Sequence, residues 1–258
     1  MTPNLFSLEG RVAVVTGGAG QLGGEIARGL AAAGAEVAIF DVVEAADVDG
    51  VSSFVVDVTD RGAIERATSQ LVDVPHVLVN AAALDSPPDA PAAEVGPFED
   101  FPSEAFDAVM QVNVKGTLFA CQVIGARMAE AGRGSIVNVS SIYGMLSPVQ
   151  ELYDFRRASG ETFFKPVAYS VSKSALYNLT RYLATYWAKS GVRVNTLTLA
   201  GVFNEQPEEF LEAYTARMPL GRMAEAREVV GPVVFLASDA SSYVTGANVV
   251  VDGGWSAW

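Results

Sequence analysis

The sequence predicts an α/β fold: a doubly wound, mostly parallel seven-stranded sheet in a single domain. Three observations carry the prediction. Short apolar runs rich in β-branched residues alternate with longer helical patterns, the signature of a parallel sheet covered on both faces. The first two runs enclose a glycine-rich turn and a helix, and the second run ends in an acid. The 258 residues, 50% of them hydrophobic, show no linker or internal repeat, which suits one core rather than two domains.

Arg11-Val-Ala-Val-Val-Thr16 reads as a buried strand and runs straight into Gly17-Gly-Ala-Gly-Gln-Leu-Gly23. A helical pattern extends from Gln21 to Ala33 and stops at Gly34. Glu36–Asp41 is the second strand and closes a dinucleotide-binding βαβ unit, whose glycines let the backbone approach a pyrophosphate at the helix N-terminus. Asp41 lies 18 residues after Gly23, near the spacing of about 20 for an acid that bonds ribose hydroxyls. Further strands are expected near 53–57, 76–80, 134–140, 193–199 and 247–251. Long helices are expected over Ser103–Ala131 and Ala168–Lys189. In the second, Leu176, Thr180, Leu183 and Trp187 recur at helical spacing and form a core-facing stripe.

That helix also carries Tyr169 and Lys173, four residues apart and so on one face. A phenol has an ordinary pKa of about 10. A nearby ammonium favours the phenolate and brings the group toward the range where acid–base catalysis is efficient. The pair is common by chance, but beside a dinucleotide-binding unit it gains weight as a proton donor and acceptor. The same unit bears on cofactor choice. A carboxylate at Asp41 repels a 2′-phosphate and accepts from a free 2′-hydroxyl, and Val42, Val43, Gly18 and Ala19 offer no cation. NAD is therefore expected rather than NADP.

These motifs, in this order, resemble the short-chain dehydrogenase/reductase family nearly end to end. Thr16-Gly17 with Gly20, Gln21, Leu22 and Gly23 resembles its cofactor turn, and Asp57-Val58 the pair that contacts adenine. Asn80-Ala81-Ala82-Ala83 sits at the family's Asn-Asn-Ala-Gly strand end, and Ala200, Val202 and Asn204 fall where its backbone and a threonine face the nicotinamide. Asn113, Ser141, Tyr169 and Lys173 match the catalytic tetrad. The resemblance implies a Rossmann fold and hydride transfer between a nicotinamide cofactor and a small-molecule alcohol or ketone. Tyr169 would carry the substrate proton, and Lys173 would lower its pKa and bond the ribose. Ser141 would hold the substrate oxygen, an oxyanion-type role. Asn113 would anchor a water. Ser141 is preferred to Ser140 because Gly144 follows it at the family's spacing, and adjacent strand residues face opposite ways.

The chain departs from the family pattern in several places. Gln21 stands where the common short form has its second glycine, and Gly20 takes that part in a spacing closer to the extended members. Ala81 and Ala83 replace an Asn and a Gly, Leu199-Ala200-Gly201 replaces Pro-Gly, and Asn204 replaces the threonine. His76, the single histidine, occupies a common Asp position and reads as structural; alone it excludes a multi-histidine metal site. Ser141 and Tyr169 are 28 residues apart, and the excess, about 146–165, is aromatic and carries Arg156, Arg157 and Lys165. Tied at both ends to catalytic residues, this insert is expected to gate the substrate or contact another subunit. Leu84–Phe101 is a second candidate rim. Together they could enclose a polar substrate, with arginine suited to carboxylate or phosphate and polar groups to sugars.

A net charge of −13 argues against nucleic acid or an anionic membrane as partner. Met1–Leu8 is too short and polar for a secretory signal, and no apolar run reaches membrane-spanning length. Cys121 is the single cysteine, reads as packing, and suits a reducing cytoplasm. Family resemblance implies a dimer or tetramer, and the C-terminal tryptophans are expected to pack on a neighbour or close the substrate pocket. The leading expectation is an NAD-dependent dehydrogenase acting on a small polar secondary alcohol, of the sugar or cyclic polyol kind. The alternatives are a non-catalytic NAD-binding regulator, or a sugar epimerase or dehydratase on the same fold.

Overall fold

The computed structural model describes residues 4–45, 50–85 and 91–258. Seven strands, β1 Val12–Thr16, β2 Glu36–Asp41, β3 Val51–Val55, β4 Val77–Asn80, β5 Gly134–Ser141, β6 Val192–Leu199 and β7 Asn248–Val251, form one sheet in the order β3-β2-β1-β4-β5-β6-β7. Every pair is parallel. The winding reverses between β1 and β4, the switch point at which open α/β sheets bind ligands beyond the strands' carboxyl ends.

The expected strands are present with small shifts. The largest is at β3, which starts at Val51, opposite Val37, rather than at 53. It is an edge strand with Ser52, Ser53 and Val55 exposed, so its apolar signal is weak and pairing with β2 sets its limits.

Helices cover both faces. They include α1 Gln21–Ala32, α2 Arg61–Thr68, α3 Ser103–Met110, α4 Val167–Trp187, α5 Glu208–Thr215 and α6 Val230–Ala237. Asp60 caps α2 by accepting from the Gly62 N–H at 2.8 Å. The rod that α3 begins runs on to Glu130, but not as the uniform helix expected. It contains π-type segments at Gln111–Gly116 and Cys121–Gly125. Both end at glycines in close contact: an added Cβ would lie 2.6 Å from Val58 at Gly116 and 2.5 Å from Trp187 at Gly125.

Alternate strand residues fill two cores. Val15, Val37, Ile39, Val79, Val137 and Leu197 pack with α1 and α6 on one face. Val14, Phe40, Leu78, Ile136 and Val194 pack on the other, with Leu183 and Trp187 of α4. The stripe Leu176, Thr180, Leu183 and Trp187 is buried within the chain itself. A third cluster, containing Ile142, Tyr143, Leu152, Tyr214, Met218, Met223 and Trp255, brings together the insert, α5 and the C-terminal tail. The two tail tryptophans divide: Trp255 stacks on Tyr214 at 4.4 Å, whereas Trp258 is 82% exposed.

His76 accepts the Val12 N–H at Nδ1 (3.1 Å), joining the start of β1 to the approach to β4, and burial lowers its pKa. Cys121 is buried, which pushes its thiol up to about 12, so it stays protonated and acts as packing.

Candidate active site

The turn after β1 has the shape a dinucleotide requires. Gly17 adopts φ +70°, and a Cβ there would lie 2.6 Å from the Ala82 backbone. At Gly23 an added Cβ would meet the Gly17 carbonyl oxygen at 2.1 Å. The N-cap of α1 is Gly20, which supplies no side-chain cap, so Gln21, Leu22 and Gly23 open the helix with N–H groups available to an anion. The Asp41 carboxylate is aimed at the turn, accepting the Ala19 N–H at 3.0 Å and the Val43 N–H at 3.3 Å. Val42 and Val43 beside it are exposed and uncharged. These residues fit an adenine dinucleotide: glycines where a Cβ would strike backbone, uncapped N–H groups for phosphate, and an anchored acid for ribose.

The other expected cofactor residues surround that turn in different ways. Thr16 Oγ1 accepts from the N–H groups of Ala81 and Ala82 at 3.2 and 3.3 Å, holding the β4 end against the glycines. Asp57 is exposed and accepts from the N–H and hydroxyl of Thr59, both at 2.8 Å, while Val58 is buried against Gly116. The Asn80 side chain serves the sheet interior, donating to Asn138 Oδ1 at 2.9 Å. Beyond β6, Ala200 pairs with Val251 (3.1 Å), Val202 bridges to Ala224, and Asn204 is exposed, its N–H held by Gln206. Gln21, the residue in the glycine's place, donates from Nε2 to the Phe203 carbonyl at 2.8 Å and so spans from the turn to this loop.

Ser141, Tyr169 and Lys173 converge. Parallel pairing of β5 and β6 carries Ser141 to the carboxyl end of the sheet, and Pro166, with φ −60°, starts α4 beside it. The Ser141 hydroxyl lies near the Tyr169 phenol, where it favours the ionised form. Ser140 faces away, its hydroxyl donating to the Lys173 carbonyl at 2.9 Å and locking α4 onto β5. Lys173 Nζ donates to the Val139 carbonyl at 3.0 Å and lies 5.7 Å from the Tyr169 ring centre. Burial drives the Lys173 pKa down to about 8, against an opposing pull from Asp85. Tyr169 departs from the expectation drawn from its lysine neighbour. Burial, with Asp85 second, pushes it above the ordinary phenol range, and the nearby Ser141 hydroxyl only partly offsets this. In the protein by itself the phenol is held in its proton-bearing form.

Asn113 sits in the first π-type segment and acts on the rim. Its Oδ1 accepts the Leu84 N–H at 2.7 Å, and its Nδ2 donates to the Leu84 carbonyl and the Ser172 hydroxyl, both at 2.9 Å. Ser172 in turn donates to the Tyr169 carbonyl at 2.7 Å. This places Asp85, which sequence reasoning passed over, beside the reacting tyrosine. Asp85 pairs with Lys165 Nζ at 2.6 Å, and that ammonium lies 5.2 Å from the Tyr169 ring centre. Of the second rim, residues 86–90 lie outside the described residues.

The insert is ordered by its own contacts. It forms a 3₁₀ turn at Gln150–Tyr153 and a short helix at Asp154–Ala158. The Gln150 amide clasps the Lys165 backbone, accepting its N–H (2.8 Å) and donating to its carbonyl (3.2 Å). Phe164 donates to the Val95 carbonyl at 2.7 Å, joining the two rims. Its arginines are engaged internally rather than presented to an anion: Arg156 pairs with Glu161 and lies over Phe163, and Arg157 pairs with Asp154. Rings run from Phe163 through Tyr153, Phe210 and Tyr214 to Trp255. Tyr214, also absent from the sequence reading, bonds the Gly201 N–H at 2.6 Å and fixes the turn after β6.

A family model described as enoyl-(acyl carrier protein) reductase matches residues 17–256. The chain belongs to the short-chain dehydrogenase/reductase family, and it is an oxidoreductase that acts on CH–OH groups with a nicotinamide cofactor. It is 35% identical to a galactitol 2-dehydrogenase (L-tagatose-forming) from Cereibacter sphaeroides, over 98% of each chain. A short-chain dehydrogenase from Leptospira borgpetersenii with bound NAD+ superposes with a TM-score of 0.87 at 30% identity, covering 99% of this chain and 96% of that one. A gluconate 5-dehydrogenase from Burkholderia cenocepacia, in complex with NADP and tartrate, gives 0.82 at 27% identity, covering 99% and 98%.

Proposed function

We propose that the protein transfers hydride between NAD and a small polyhydroxylated secondary alcohol or its ketone, with Tyr169 carrying the hydroxyl proton. The convergence of Ser141, Tyr169 and Lys173 beside the glycine turn carries this reading. Ser141 positions the substrate oxygen, and its hydroxyl stabilises charge that develops there. Tyr169, held protonated by burial, donates to that oxygen during ketone reduction. In the reverse direction it must first yield its proton, which the buried Lys173 ammonium favours. A bound oxidised nicotinamide supplies the hydride acceptor and a further positive charge. Asn113 and Ser172 orient the backbone that carries Tyr169. The anchored carboxylate of Asp41 supports NAD over NADP.

Addition of NAD and a panel of polyols to the purified protein should produce NADH absorbance. Tyr169→Phe should lower turnover by a factor of about 10² or more and leave NAD binding intact; equal turnover in that variant refutes the assignment. Tyr182 and Tyr186 stack at 5.9 Å on the solvent face of α4 and are 62% and 66% exposed. That exposed aromatic surface supports a homo-oligomer, a dimer or tetramer, which light scattering can measure. The buried, unoxidised Cys121 is compatible with the cytoplasm.

A further inference from the structure

We propose that the Asp85–Lys165 ion pair makes the site selective for an uncharged polyol over the corresponding sugar acid, an inference that rests on the dehydrogenase reading above and names its substrate class. The pair joins the two rims directly beside the reacting tyrosine. Lys165 Nζ lies 2.6 Å from Asp85 and 5.2 Å from the Tyr169 ring centre, with only 9% of its side chain exposed. Both partners are held from behind. The Asn113 amide clamps Leu84, next to Asp85, and the Gln150 amide clamps Lys165 itself, each through one N–H and one carbonyl. Lys165 is thus fixed in the site's wall, and the Asp85 carboxylate, with 48% of its side chain exposed, stands at the solvent edge of the pair.

Its charge arithmetic sets the selectivity. The insert carries three cations, and each has an acidic partner: Arg156 with Glu161, Arg157 with Asp154, and Lys165 with Asp85. A substrate carboxylate that reached Lys165 would have to displace Asp85 and then lie against its negative charge, and like charges in such a site repel. A neutral substrate meets no such barrier. One hydroxyl donates to the Asp85 carboxylate and another accepts from Lys165, with the ion pair intact. A further group supports a hydroxyl-bearing ligand. The Tyr143 OH, in the third cluster against which Tyr169 packs, is buried without a hydrogen-bond partner among the described residues, and a substrate hydroxyl would satisfy it.

The test uses configurationally matched pairs, galactitol with galactonate and glucitol with gluconate, each assayed with NAD and with NADP. The wild-type protein should favour an alditol over its aldonate by about tenfold or more in kcat/KM. Asp85→Asn should shrink or invert that ratio, chiefly through KM, while the Kd for NAD, read from tryptophan fluorescence, stays unchanged. Lys165→Gln should raise KM for the alditol, and Lys165→Arg should restore much of the loss. Wild-type preference for an aldonate, or an unchanged ratio in Asp85→Asn, overturns the selectivity proposal while leaving the hydride-transfer reading standing. Failure of all four compounds with both cofactors overturns both. The wild-type ratio needs no variant, so a misfolded substitution does not shield the proposal.

Discussion

Lys173→Met should make the cofactor-free protein more stable while abolishing its activity. Lys173 is buried, and its pKa falls from the ordinary 10.5 to about 8. At about 1.4 kcal/mol per pH unit, that difference is a penalty of about 3 kcal/mol for folding with the ammonium charged. Below pH 8 both the folded and unfolded states hold the proton, so the full penalty applies. Between pH 8 and 10.5 the folded protein loses its proton first, the unfolded chain binds more protons, and stability climbs with pH. Met has similar volume and no charge, but it loses the 3.0 Å bond to the Val139 carbonyl, a loss of about 1 kcal/mol. The net expectation is a gain of about 2 kcal/mol at pH 7. Urea unfolding of the two proteins, without cofactor, at pH 7 and pH 9.5 reads this directly. Wild type should recover about 2 of its 3 kcal/mol by pH 9.5, so the gap should nearly close. A variant less stable than wild type at pH 7, or a gap independent of pH, would show that the ammonium is not held against its solvation preference.

Gln21→Ala removes the 2.8 Å contact with the Phe203 carbonyl. It should raise KM for the cofactor several-fold and change kcat little, as steady-state rates at varied NAD would show. Gly125→Ala places a Cβ 2.5 Å from Trp187, an overpacked contact that should destabilise by about 1–3 kcal/mol in thermal or urea unfolding, despite alanine's better helix propensity.

The fold was legible where burial is symmetrical. β1, β4 and β5 are covered on both faces, so each carries a short apolar run, Val-Ala-Val-Val in β1, Val-Leu-Val in β4 and Ile-Val in β5, in place of polar alternation. β3 was misplaced by two residues because one edge is open and two serines interrupt its pattern. Tyr169 and Lys173 were legible together because the helix period places them on one face, whereas Ser141, 28 residues before Tyr169, was legible through the family resemblance of its strand end. The Asp85–Lys165 pair was not, because its partners are 80 residues apart and neither sits in a periodic element. Nor was the state of Tyr169. Spacing reveals a lysine four residues on, but desolvation depends on which segments cover the ring, and those include an insert with no periodic signature of its own.

Two side-chain amides explain how an irregular rim can be coupled to a rigid catalytic face. Asn113 and Gln150 each present one acceptor and one donor to a single residue's backbone, the pairing a neighbouring strand would make. Loops lack such partners, and backbone groups without them carry a desolvation cost when covered. Each amide therefore stabilises the rim and fixes its position in one step. Asn113 has a third contact, through Ser172 to the Tyr169 carbonyl, so displacement of Leu84 and misorientation of Tyr169 are linked through one side chain. Substrate selection and proton transfer in this protein are for that reason expected to respond together to changes at Asn113, through the backbone that both share, whereas Asp85 reaches Tyr169 and Lys173 by its charge and not by holding the helix.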